Sequence, residues 1–79
     1  MTITLSITKT VDARGLSSPL PIVKTALAIK ELGSGDVIEV LATDPGSTKD
    51  FLAWSKTTGH ELLESTIDGD VFRYILRKK

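Results

Sequence analysis

The sequence predicts an α/β (α+β) domain built as a two-layer sandwich. Its expected order is β-α-β-α-β-β, with two helices on one face of a four-stranded mixed sheet. Three observations predict this. Four segments alternate apolar and polar residues with the period of a half-buried strand, and two segments between them space apolar residues as a helix does. The boundaries carry Gly, Pro, Ser or Asp. Two strand-helix-strand units with right-handed crossovers place both helices on the same face. The other face then meets solvent, which suits the Thr, Glu and Arg residues alternating through the strands.

Ile3, Leu5 and Ile7 alternate with Thr and Ser, and Val11 continues the parity after Lys9, giving the first strand. Residues 12–21 form a loop by their Gly, Ser and Pro content. A helix is expected from Leu20 or Pro21 to Leu32, with Ile22, Ala26 and Ile29 inward, Val23 and Leu27 widening that face, and Lys24 and Glu31 outward. Gly33 sits where a helix end favours glycine, and Gly33-Ser34-Gly35 makes the turn. Val37 to Thr43 is the second strand, with Ile38, Val40 and Ala42 on one face. Asp44-Pro45-Gly46 breaks it, and Ser47 with Asp50 matches a capping box for a second helix. That helix presents Phe51, Trp54, Ser55 and Thr58 on one face and closes at Gly59. His60 to Ile67 and Val71 to Lys78 follow as strands joined through Asp68-Gly69-Asp70, a strong hairpin signal, with Phe72, Tyr74 and Leu76 sharing a face.

Size and composition limit what such a domain can do. At 79 residues, 1–79 reads as a single domain, and a chain this small buries only roughly 60% of the surface it exposes unfolded. It has no cysteine and one histidine, so neither a disulfide nor a Cys/His zinc site is available. No apolar run reaches the length of a membrane span, and the alternating N-terminus does not resemble a signal peptide, so a cytoplasmic protein is expected. The 10 basic and 10 acidic side chains cancel, but they are segregated. Residues 1–30 sum to +3, residues 31–69 to −6 and residues 70–79 to +3, which allows a basic patch wherever the two chain ends meet, although solvated charges with no partner are the favoured reading.

Chemistry concentrates at Ser18-Pro19-Leu20-Pro21. Serine is a favoured N-cap and proline a favoured first helical residue, so Ser18 reads first as a helix cap. The same position attracts anions and would lower the pKa of a thiol. A serine hydrolase is disfavoured, since His60 is the only imidazole and no nucleophile elbow surrounds Ser18. His60 beside the Gly59 cap reads as structural, and Asp12, Asp44 and Asp50 as turn or cap residues. Ser55 is unusual because it lies on the face that should pack, where a cysteine would fit better, although a half-exposed serine is the plainer reading.

These residues carry a family resemblance. Asp12-Ala13-Arg14-Gly15-Leu16-Ser17-Ser18-Pro19-Leu20-Pro21 resembles Asp-X-X-Gly-X-X-Cys-Pro-X-Pro, the signature of the TusA (SirA-like) sulfur-carrier family. The run from Thr43 to Asp50, then Trp54-Ser55 and Gly59-His60-Glu61-Leu62, resembles its second signature. The resemblance implies one TusA-like domain, with a sandwich similar to the C-terminal domain of translation initiation factor three. It also implies a sulfurtransferase-type carrier whose cysteine, at position 18, holds a persulfide. A cysteine desulfurase or rhodanese-type protein would donate the sulfur and a DsrE-like protein would accept it, in tRNA thiolation or oxidative sulfur metabolism. Neither a cofactor nor a metal is implied.

The departure is Ser18, at the position of the carrier cysteine, and Ser55 replaces a second cysteine common in the family. The resemblance therefore implies a Cys-to-Ser, transfer-incompetent form and leaves open whether the chain is an enzyme. Two histories fit: deliberate replacement, which the paired pattern favours, and natural loss of sulfur chemistry with the docking surface kept. Asp12, Arg14, Gly15, Pro19, Pro21 and Lys24 support the site, with Arg14 and Lys24 candidates for steadying a persulfide anion or docking an acidic partner. The alternative is a non-catalytic binding or regulatory module, with nucleic acid contacted through Arg73, Arg77, Lys78 and Lys79. Scarce outward aromatics disfavour that version.

Overall fold

The computed structural model describes residues 6–79. Their order is β1 (Lys9–Ala13), α1 (Leu20–Ile29), β2 (Val37–Ala42), α2 (Ser47–Thr58), β3 (Glu61–Asp68) and β4 (Val71–Arg77). The strands form one sheet in the order β1-β2-β4-β3. β1 runs parallel to β2, and β4 runs antiparallel to both β2 and β3. This is the expected mixed sheet with two helices.

The inward stripes of the strands meet in register: Val11 opposite Val40, Ala13 opposite Ala42, Val40 opposite Tyr74 and Ile38 opposite Leu76. These residues, with Ile29 of α1 and Phe51 of α2, make the core. Phe51 stacks on Tyr74 at 4.5 Å between ring centroids, and Trp54 meets the Phe51 ring edge-on at 6.3 Å. Gly59 closes α2 with φ +84°, a left-handed conformation that glycine adopts without strain, as the sequence suggested.

Four expectations change. β1 begins at Lys9; Ile7 lies before it, and Ile3 and Leu5 fall outside the described residues. α1 ends at Ile29 and continues to Leu32 only as turns, Glu31 N–H donating to Ala28 and Leu32 N–H to Ile29. Its buried stripe is Pro21, Thr25 and Ile29, rotated from the face expected. Thr25 can be buried because its hydroxyl donates to the Pro21 carbonyl at 2.8 Å, which leaves Val23 and Leu27 exposed. The capping box does not form: Gly46 is the N-cap residue, and the buried Ser47 hydroxyl instead pairs with Tyr74 Oη at 2.6 Å.

Among the described residues the two basic ends are not neighbours in the sheet, because β2 lies between β1 and β4. Glu39 of β2 accepts from Thr10 on one side and Arg73 on the other, while Arg73 also pairs with Glu64 and Arg77 with Glu61. The acidic middle of the chain thus neutralises its basic end across the open sheet face. The Arg73 hydrogen bond holds Glu39 below the usual carboxylate range, with smaller help from Thr10. No helix among the described residues is long and apolar enough to cross a membrane.

Candidate functional site

The loop from β1 to α1 is shaped by short-range polar contacts. Asp12 accepts from its own Arg14 N–H and grips the Arg14 guanidinium with both oxygens, at 2.8 and 2.9 Å. That hydrogen bonding drives the Asp12 carboxyl far below the usual carboxylate range. Lys24 reaches back from α1 and donates to the Asp12 carbonyl at 2.6 Å. Gly15 turns the chain at φ +81° and donates its N–H to Thr43 Oγ1 at 2.9 Å, tying the loop to the end of β2. Both candidate cations, Arg14 and Lys24, therefore serve Asp12 and brace the loop.

Ser18 is exposed just ahead of α1, and the Ser18–Pro19 peptide is cis. It does not cap the helix. Pro19 is the N-cap residue, its carbonyl accepts from Ile22 and Val23, and no side chain caps that end. The Ser18 hydroxyl instead donates to Asp50 Oδ2, in the first turn of α2. Gly46 borders this contact: a Cβ there would meet Ser18 Cβ at an ordinary 3.9 Å and crowd Asp44 Oδ2 at 3.0 Å. Asp44 keeps its turn role, accepting from the Gly46 N–H at 2.9 Å. Position 18 thus stands between the starts of both helices, next to the carboxylates of Asp44 and Asp50. Tyr74 seats that turn of α2 through Ser47 and, at 2.9 Å, Thr48.

Against this geometry, residues 9–78 match the family described as Sulfurtransferase TusA. The chain belongs to the TusA family. The sulfur carrier protein TusA of Allochromatium vinosum is 48% identical over 67 residues, spanning 85% of this chain and 88% of that one. YrkI of Bacillus subtilis, whose name places it among sulfur carriers, is 50% identical over 70 residues, spanning 89% and 93%. The crystal structure of a SirA-like protein from Desulfitobacterium hafniense superposes with a TM-score of 0.78 at 26% identity, covering 89% of this chain and 96% of that one.

The first part of the second TusA-like signature, Thr43 to Asp50, borders Ser18, whereas Trp54-Ser55 and Gly59-His60 fold elsewhere. Ser55 is half-buried near the far end of α2 and donates to the His60 carbonyl. His60 Nδ1 accepts the Lys79 N–H at 3.1 Å, and its ring lies 5.2 Å from that of Trp54. Burial, and then the charges of Lys78 and Lys79, push its pKa down. From Asp50 to the end of α2 at Thr58 the helix rises about 12 Å, and His60 lies beyond that end, so no imidazole serves Ser18. The residues that sequence reasoning missed are Thr43 and Asp50. A carboxylate three residues into a helix looks the same in sequence whether it caps the helix or faces a distant loop.

Proposed function

We propose that position 18 is the carrier position of this TusA-family chain, and that with Ser18 the chain docks on sulfur-relay partners without carrying sulfur. The observation behind this reading is an exposed Ser18 in the place of the signature cysteine, on a loop braced by Asp12, Arg14, Gly15 and Lys24. Pro19 and Pro21 fix the chain on either side of Leu20, and Pro21 is buried against the core. In the cysteine form, a thiolate at 18 attacks the terminal sulfur of a donor persulfide. A new S–S bond forms, the donor's S–S bond breaks, and the donor leaves as its thiolate. A hydroxyl cannot hold sulfane sulfur in this way.

The expected partners are a cysteine desulfurase or rhodanese-type donor and a DsrE-like acceptor, in tRNA thiolation or oxidative sulfur metabolism, with the chain in the cytoplasm. Leu20, Val23 and Leu27, exposed at 49%, 47% and 62%, form an apolar strip on α1 that begins beside Ser18 and suits transient docking. The nucleic-acid alternative loses support because Arg73 and Arg77 are ion-paired and Lys78 donates to the Leu32 carbonyl. The test is Ser18→Cys incubated with a cysteine desulfurase and L-cysteine, read by intact mass. One added sulfur is expected, and none on the unsubstituted chain. Loading of Ser55→Cys alone, or of neither variant, overturns the assignment.

A further inference from the structure

We infer that Asp50 is a positioning residue that keeps the group at position 18 protonated and donating, an inference that rests on reading position 18 as the carrier position. The hydroxyl of Ser18 crosses from the β1–α1 loop to one oxygen of a carboxylate 32 residues away, in the first turn of α2. The charged groups around it are few. From the β2–α2 turn, Asp44 adds a second carboxylate, held on the Gly46 N–H. From its own loop, Asp12 and Arg14 neutralise each other, and from α1, Lys24 is committed to the Asp12 carbonyl. Lys49, beside Asp50, is exposed and makes no ion pair among the described residues.

A hydroxyl or neutral thiol can donate to Asp50; a thiolate or persulfide anion cannot, and the two negative charges repel. The helix starts oppose this with partial positive charge, but each amounts to about half a charge spread over several amides. A full charge in hydrogen-bond contact outweighs it. The local field at position 18 is therefore set by Asp50, against the thiol-activating effect expected of a bare helix start. Serine fits this setting, since it donates and never needs to ionise.

The test compares Ser18→Cys with Ser18→Cys/Asp50→Asn, following alkylation by iodoacetamide from pH 5.5 to 10. The single variant should show a midpoint at or above the free-cysteine value of about 8.5. Asparagine still accepts the hydrogen bond but carries no charge, so the double variant's midpoint should fall by about one pH unit, with alkylation at pH 7 roughly tenfold faster. Ser18→Cys/Asp44→Asn should move less. Coincident midpoints, or a rise with Asp50→Asn, overturn the inference. So does a midpoint below about 7.5 in the single variant, whether or not the double variant folds. Desulfurase-dependent loading, read by mass, separates the two claims. A midpoint shift without loading rejects the carrier reading and keeps Asp50; loading with coincident midpoints does the reverse.

Discussion

Each end of helix α2 has a serine beside it, Ser18 at its start and Ser55 near its close, yet the two hydroxyls are used differently. Ser18, brought to the first turn by a loop, is exposed and donates a hydrogen bond to the Asp50 carboxylate. Ser55, near the last turn, is half-buried and donates a hydrogen bond to a carbonyl five residues on. One bond joins elements distant in sequence and faces solvent; the other finishes a local turn. The contrast shows that the surroundings, and not the residue type, separate an exposed serine that links two elements from one that completes local packing.

The largest expected effect breaks the support of the first end. Tyr74 Oη is bonded to the buried Ser47 hydroxyl and to Thr48, and the Tyr74 ring is stacked under Phe51. Tyr74→Phe keeps the stacking but leaves Ser47 without its partner in the core, which should cost about 1–3 kcal/mol. Urea denaturation should show a lower midpoint with an unchanged slope. A loss under about 0.5 kcal/mol would mean that α2 is seated by its apolar face alone, and the contrast between its ends would lose its structural basis.

The sequence was readable wherever one periodicity decided an element. Strand alternation placed Ile38, Val40 and Ala42 in the core, and Gly59 and the Asp68-Gly69-Asp70 turn marked their boundaries. It was misleading where a side chain had two local options. Thr25 is polar, so the inward face was assigned to Ile22, Ala26 and Ile29 without it, although one bond to Pro21 makes its burial inexpensive. Ser18, Ser47 and Asp50 all sit where caps sit, but each found a partner more than 25 residues away, and nothing in local spacing encodes that. The charge segregation was real, but its consequence depended on β2 entering the sheet between the two basic ends.

A smaller effect is expected at the far end of α2. Ser55→Ala removes the donor to the His60 carbonyl, a group close enough to the surface for water to replace it. The cost should be about 0.5–1 kcal/mol by the same denaturation assay. A loss as large as that of Tyr74→Phe would show that the two ends are equally dependent on one hydroxyl bond, which would sharpen attention on Ser55 as more than a packing residue.

The smallest effect concerns His60 and depends on pH. Burial disfavours the imidazolium, Lys78 and Lys79 add repulsion, and the folded pKa lies below the ordinary 6.5. As pH falls through 6.5 the unfolded chain takes up the proton first, so protonation favours unfolding. Stability is thus full above 6.5, declines between 6.5 and the lowered folded value, and levels off below it. Urea midpoints between pH 5 and 7.5 should show this decline in the unsubstituted chain and lose it in His60→Gln. Working above pH 5 keeps Glu39 out of the window, since its pKa is lowered from 4.5 by Arg73. The opposing influence is the C-terminus of α2, which favours a cation beside it. If stability rose on acidification, that dipole would be stronger than burial and the two lysines together. His60 would then be stabilised as a cation beside Ser55, and the far end of the helix would be an electrostatic site like the first.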